Sequence, residues 1–165
     1  MDREKRGAGE IQLVVFQLAG ETYGVDIGNV HEIIRMQPIT DVPRAPEFVE
    51  GVINLRGRII PVIDLHKRFG LPPAEETGST RIMVVEVAGM TVGMIVDSVS
   101  EVLRLPAENI EPPPPMISGV DVAYLRGVGK WGEKLIILLD LNRVLKESEQ
   151  RQLKEGEPLA EVAGA

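Results

Sequence analysis

The stretch that decides the fold is Gly51 to Leu65, which reads Gly-Val-Ile-Asn-Leu-Arg-Gly-Arg-Ile-Ile-Pro-Val-Ile-Asp-Leu. Two short runs rich in valine and isoleucine flank an Arg-Gly-Arg tip. This pattern is typical of a tight β-hairpin whose glycine allows a backbone conformation that other residues resist. A hairpin this apolar must be buried on at least one face. Because Arg56 stands beside the turn glycine, we interpret it as the functional residue of the hairpin.

A weaker second copy of this hairpin lies downstream. Leu125-Arg126-Gly127 resembles Leu55-Arg56-Gly57, and the run at 136–141 resembles the one at 59–65. The stretch Gly127 to Lys134 between the two parts of the copy, which contains Trp131, is expected to be a loop that adds bulk.

The duplication extends upstream of both hairpins. Residues 14–36 align without a gap on residues 83–105, with eight of the 23 positions identical. Composition alone would give roughly one or two such matches, so the sequence indicates internal duplication. In this alignment Val99 and Val102 are the counterparts of Val30 and Ile33. We therefore predict that the molecule consists of two versions of one β unit.

Composition limits the class of protein. Of the 165 residues 44% are hydrophobic and only 4% aromatic, so aliphatic side chains must fill the core, a bias that suits strands. A net charge of -7 and few aromatic residues argue against nucleic acid as a partner. Without cysteine there are no disulfides or thiolate metal sites. No apolar run approaches the ~20 residues of a membrane span, so we expect a cytoplasmic protein without direct membrane insertion.

Each half is predicted to contain about five short strands. Because open sheets of this size would leave unpaired edges, we expect each half to close into a small barrel, with a groove between the two barrels. Pro112 to Pro115 is expected to be a rigid connector, and apolar residues at helical spacing predict an amphipathic C-terminal helix. The predicted ranges are a tail at 1–9, a domain at 10–155 and a tail at 156–165. Within the domain we expect two interleaved β-barrel subdomains, with a first repeat at about 11–70, a second at about 80–141 and the helix at about 142–154.

Motifs for catalysis, metal or nucleotide are missing from the sequence. His31 and His66 lie on separate segments, so a metal site is not expected. Asp64 and Asp140 occupy matching repeat positions, which favours one structural role performed twice, such as bonding loop amides. We therefore predict no enzyme and no cofactor. The alternative is a small β-barrel enzyme or ligand-binding protein that uses the Glu32 and Asp64 carboxylates, and a deep polar pocket where they converge would support it.

The remaining candidate site is a surface. An arginine beside a glycine turn is well suited to a bidentate bond with a carboxylate, and Glu32 is the nearest plausible partner for Arg56. In the opposing interpretation Arg56 is a solvated turn charge and the aliphatic residues around it belong to the core.

The chain resembles the CheW-like domain family over about residues 10 to 150. The matching segments are Tyr23-Gly24-Val25-Asp26-Ile27, Val30-His31-Glu32-Ile33, 46–57, 61–65, 92–99 and 135–140. The resemblance implies a mostly β fold of two five-stranded SH3-like barrels. It also implies an adaptor that couples the cytoplasmic tip of methyl-accepting chemoreceptors to the regulatory domain of the histidine kinase CheA, in arrays at the inner face of the membrane.

In the family that the chain resembles, a receptor helix lies in the groove between the barrels. The resemblance therefore implies a receptor-binding groove at seven positions: Ile27, Val30, Glu32, Arg56, Gly57, Val99 and Val102. It places the kinase-binding surfaces at the barrel ends, without assigning residues there.

Overall fold

The structure, a computed structural model, describes residues 9–114 and 121–154. The predicted tails lie outside these ranges except for Gly9, and the expected connector is described only up to Pro114. Within the described residues eleven strands and two helices carry the fold. They are β1 (Glu10–Leu18), β2 (Glu21–Asp26), β3 (Val30–Arg35), β4 (Val49–Leu55), β5 (Arg58–Asp64), α1 (Leu65–Arg68), β6 (Arg81–Val87), β7 (Met90–Val96), β8 (Ser98–Pro106), β9 (Ile110–Glu111), β10 (Leu125–Trp131), β11 (Lys134–Leu139) and α2 (Glu147–Lys154).

The strands form two curved sheets. One has the order β8-β1-β2-β11-β10-β9, and we call it barrel A; the other has the order β3-β6-β7-β5-β4, and we call it barrel B. The third strand of each repeat pairs with the first strand of the other repeat, as β3 with β6 and β8 with β1. Each barrel also contains one parallel pair, β2 with β11 or β5 with β7. The two repeats are therefore interleaved, so the expectation that each half closes into a barrel by itself is wrong, while the mostly β fold of two SH3-like barrels is confirmed.

Hairpin geometry defines which positions correspond between the barrels. The β4–β5 pairing has an irregularity between Val49 and Gly51, and the β10–β11 pairing has one between Leu125 and Gly127. Gly127 is therefore the counterpart of Gly51, and the alignment of Leu125-Arg126-Gly127 with the Arg56 tip is wrong. At the tip of the second hairpin, Gly132 occupies the position of Arg56. Residues 127–131 belong to β10 rather than to a loop.

Close backbone contact explains the glycine at this irregularity. Gly51 has φ +151, and a Cβ there would overlap the carbonyl oxygen of Thr40, which accepts a bond from the Val52 amide. A Cβ on Gly127 would lie 2.7 Å from the carbonyl oxygen of Glu111. In both barrels a short crossing segment therefore packs directly on the hairpin backbone.

Three apolar cores result from this arrangement, because strands such as β1 are buried on both faces. Leu13 and Val15 belong to the core inside barrel A, while Val14 and Phe16 belong to a larger core between the barrels. Barrel B has its own interior. Barrel A closes where Gly129 packs directly on Leu105. The interior of barrel B is formed by Ile53, Ile60, Val62, Ile82 and Val84.

The predicted role of the matching aspartates is confirmed. The Asp64 carboxylate accepts from the amides of His66 and Lys67 and so caps α1, and Asp140 accepts from the Asn142 amide. The predicted C-terminal helix is present but begins at Glu147, because a 3-10 turn at Leu141–Arg143 precedes it. Val144 and Leu145 are buried as part of this turn segment rather than as a helix face.

Candidate functional site

We call the larger core between the barrels the central core. It reaches the protein surface along the outer strands β3 and β8. Ile33 pairs opposite Met83, and Val102 pairs opposite Val14. Paired residues point to the same face of a sheet, and both Met83 and Val14 are buried in the central core. Ile33 and Val102 therefore extend this core outward, where they are 39% and 52% exposed.

Three more of the predicted positions border the same core. Ile27, Val30 and Val99 are half-buried and pack against its buried residues. Together with Ile33 and Val102 they form an apolar surface along the junction of the barrels, which we call the groove. Ile33, which the sequence identified only as the counterpart of Val102, belongs to it on the same evidence.

The tip of the β4–β5 hairpin places Arg56 against Glu32. Arg56 and Gly57 both have positive φ, 52 and 88, and the Asn54 side chain accepts from the Gly57 amide at 2.7 Å. From this turn the Arg56 guanidinium donates a hydrogen bond to the Glu32 carboxylate. That bond raises the pKa of the guanidinium above its ordinary value. The predicted contact is therefore confirmed, with Arg56 largely exposed and Glu32 partly covered.

A small cavity lies beneath this ion pair, at the mouth of barrel B. Its volume is about 320 Å³, and its apolar lining is Leu55, Ile60 and Val84. The polar rim consists of His31, Glu32, Arg56, Arg58 and Thr91. Arg58 donates to the Thr91 hydroxyl at 3.3 Å, and His31 lies 2.9 Å from Glu86.

The carboxylates of the enzyme alternative do not converge. Among the described residues, Glu32 is the only acidic one that lines the cavity at the mouth of barrel B, and Asp64 is engaged at the start of α1. A larger open cleft of about 710 Å³ lies on barrel A, lined in part by Asp26, Arg104 and Arg126. In the part of the chain that the structure describes, no three His, Asp or Glu side chains form a group that could hold a metal ion.

One buried polar junction was not predicted from the sequence. His66 is 5% exposed, with Nε2 at 2.9 Å from the Asp97 carboxylate and Nδ1 at 2.8 Å from the Pro72 carbonyl. The other Asp97 oxygen accepts from the Ala19 amide at 2.9 Å. This chain of bonds ties the end of barrel B to the first hairpin of barrel A. Local sequence carries no signal for it, because the partners are far apart in the chain.

Fold and site define a two-barrel β protein whose candidate site is an apolar docking groove with a charged rim. The family model of the CheW-like domain matches residues 12–149 of the chain. The chain therefore belongs to the CheW-like domain family. None of the helices between residues 9 and 154 that the structure describes is long and apolar enough to span a membrane.

Relatives of known name agree with this assignment. The chain is 38% identical to the chemotaxis protein CheW of Treponema pallidum over 148 residues, which cover 87% of each chain. It is also 38% identical to CheW of Klebsiella aerogenes over 138 residues, covering 84% of this chain and 83% of the relative. The crystal structure of the scaffolding protein TtCheW from Thermoanaerobacter tengcongensis matches with a TM-score of 0.77 and 45% identity, covering 84% of this chain and 90% of the other.

Proposed function

We propose that this protein is a bacterial chemotaxis adaptor that couples transmembrane chemoreceptors to the histidine kinase CheA. The names of its relatives, a chemotaxis protein and a scaffolding protein, support an adaptor. The groove is the observation that carries the proposal. An exposed apolar strip between two rigid barrels is the kind of surface on which an amphipathic helix docks its apolar face.

The cytoplasmic tip of the receptor occupies the groove in this proposal. Val30, Val99 and Val102 contact the apolar face of a receptor helix, together with Ile27. The Arg56–Glu32 pair and Gly57 form the charged edge beside it. Because the strands that carry these side chains are already ordered, binding costs little backbone conformational entropy.

The remaining features of the proposed adaptor follow from this placement. CheA binds through its regulatory domain at another surface, at a barrel end, so that receptor and kinase are held at the same time. The protein acts in the cytoplasm and is recruited to receptor arrays at the inner face of the membrane. It has no catalytic turnover and uses no cofactor, since binding of two partners is its whole activity.

Co-sedimentation with receptor tests the proposal. Receptor cytoplasmic fragment from the organism that encodes this chain is displayed on vesicles and mixed with the protein and the CheA regulatory domain. The wild-type protein is expected to sediment with receptor and to carry the CheA domain into the pellet. Val102→Asp should abolish sedimentation with receptor, because it places a charge in the apolar groove.

Leu135→Asp is the matched control, since Leu135 is 60% exposed and lies outside the groove. It should leave sedimentation with receptor unchanged. If wild-type protein failed to sediment, or if both variants lost receptor equally, the proposed function of the groove would be wrong.

A further inference from the structure

The groove has a duplicated apolar floor. Val30 and Ile33 on β3 correspond to Val99 and Val102 on β8, and each pair borders the central core from its own barrel. A helix that contacts only these residues meets similar surfaces in either direction. Shape alone therefore does not fix the direction in which a helix lies in the groove.

The charges on the barrel B side of the groove favour an acidic ligand. Arg56 is engaged by Glu32, while Arg58 contacts only the neutral hydroxyl of Thr91 among the described residues. Among the residues that line the cavity at the mouth of this barrel, two arginines therefore stand beside one carboxylate, while Glu86, outside the lining, is bonded to His31. Arg58 remains able to form a charge-assisted bond with a carboxylate on a partner.

The corresponding positions on the barrel A side have the opposite balance. In the second hairpin Gly132 occupies the position of Arg56, Glu133 that of Gly57 and Lys134 that of Arg58. Glu101, the counterpart of Glu32, is exposed and has no cationic partner among the residues described. The positions that correspond to Glu32, Gly57 and Arg58 therefore carry two carboxylates and one cation. The duplication kept the apolar floor but reversed the charge of its rim.

We propose that this charge difference makes the groove directional for its helix. The docked helix presents acidic side chains to Arg58 on the barrel B flank and basic side chains to Glu101 on the barrel A flank. A reversed helix would place like charges together on both flanks, and such juxtapositions suppress wrong binding modes. This inference rests on the proposed function, because it takes the receptor helix as the occupant.

Charge reversal tests the two flanks separately. Arg58→Glu and Glu101→Lys are titrated against the receptor cytoplasmic fragment at low and high salt, beside Arg44→Glu and Glu75→Lys, exposed residues on neither β3 nor β8. Each groove variant should weaken binding at least about fivefold at low salt and less at high salt, since salt screens exposed charges. The controls should change affinity less than about twofold.

Direction is measured with nitroxide labels, because the chain has no native cysteine. His31→Cys and Ser100→Cys place a label at corresponding exposed positions on β3 and β8. The label at 31 should broaden fragment resonances most strongly beside acidic residues, and the label at 100 beside basic residues. Two results would overturn the directional groove: each label broadens acidic and basic flanks equally, or the groove variants bind the fragment as tightly as the control variants. In either case binding by the wild-type protein would still support the proposed function. Failure of the wild-type protein to bind would overturn both.

Discussion

Barrel A and barrel B share five corresponding strands in the same order, the same pairing irregularity in the second hairpin and the same turn in the first hairpin, but they differ in the residues at several exposed positions. The first hairpins turn through Ala19-Gly20 and Ala88-Gly89 with nearly identical φ angles, 52 and 81 against 50 and 82. The tips of the second hairpins differ, with Arg56 in one barrel and Gly132 in the other. The turn conformation of the first hairpins has been kept, and the residues at the exposed tips of the second hairpins have changed.

The turns that follow the two closing strands show the same division. Asp64 and Asp140 cap them in the same way, but His66 and Arg68 in the first turn correspond to Asn142 and Val144 in the second. Arg68 donates from Nε to the carbonyl oxygen of its own counterpart, Val144, at 2.8 Å. The first copy therefore supplies the side chains of His66 and Arg68 to the polar bonds of the junction, and among the described residues the corresponding side chains of the second copy do not make such bonds.

Removal of Arg68 should have the largest effect. Its side chain is 8% exposed, bonds Glu149 at 2.9 Å and lies over the rings of Phe48 and Tyr124. Arg68→Ala would remove the cationic partner of Glu149 and should lower the free energy of unfolding by about 3 to 5 kcal/mol. Urea unfolding measures this. Arg143→Ala, in the corresponding turn but 62% exposed, should cost less than about 0.5 kcal/mol; similar losses would mean that the two turns are equivalent.

Alanine at the two corresponding glycines tests the equivalence of the hairpins. Gly51→Ala combines a positive φ with direct overlap on the Thr40 carbonyl and should cost about 3 kcal/mol. Gly127→Ala meets the Glu111 carbonyl at 2.7 Å without a positive φ and should cost about 1 to 2 kcal/mol. Thermal unfolding of both variants gives the order. A negligible loss of stability in Gly127→Ala would contradict the hairpin register that makes Gly127 the counterpart of Gly51.

The smallest stability effect is expected at Tyr23, whose ring is stacked in the central core between Phe16 and Phe69. Its hydroxyl has no hydrogen-bond partner among the described residues, so Tyr23→Phe should be neutral or stabilise the fold by about 1 kcal/mol. Burial raises the pKa of Tyr23 to about 12. The pKa of Tyr23 in the folded protein lies above its value in the unfolded chain. The contribution of Tyr23 to the free energy of unfolding is therefore fully present below about pH 10 and is lost between about pH 10 and 12.

Denaturant unfolding at pH 9 and pH 11.5 checks this dependence. Wild type should lose up to about 1.4 kcal/mol per pH unit relative to Tyr23→Phe. Tyr124→Phe, which alters a half-buried tyrosine of the same core, is the control. An identical alkaline loss in wild type and Tyr23→Phe would assign the loss to other groups.

Much of the fold could be predicted because it depends on local patterns. Alternating apolar residues and glycine turns indicated the hairpins, and the repeat indicated two barrels. Interleaved barrels were expected, but which strands the repeats exchange, β3 and β8, could not be predicted, since periodicity shows that a strand is buried but not which strand it pairs with. The start of α2 was misplaced because Val144 and Leu145 have helical spacing while lying in a turn.

The candidate site was predicted unevenly for the same reason. Glu32 and Arg56 were paired correctly because a guanidinium at a turn favours a carboxylate, and Glu32, 24 positions away in the chain, was the nearest plausible partner. Arg126 was taken as the counterpart of Arg56 because both stand in Leu-Arg-Gly. The sequence does not show the hairpin register, and in the structure Arg126 lies 3.8 Å from Asp26 on barrel A. The bond between His66 and Asp97 depends on contacts that exist only after folding.

The most direct test of the account compares these two arginines, which share a sequence motif but not a position in the fold. Wild type, Arg56→Ala and Arg126→Ala are titrated calorimetrically against the receptor cytoplasmic fragment and, separately, the CheA regulatory domain. Arg56→Ala should weaken receptor binding about tenfold, as expected for a charged hydrogen-bond partner, and retain CheA binding. Arg126→Ala should leave receptor affinity within about twofold. Unchanged receptor affinity in Arg56→Ala, or equal losses in both variants, would contradict the assignment of the groove edge.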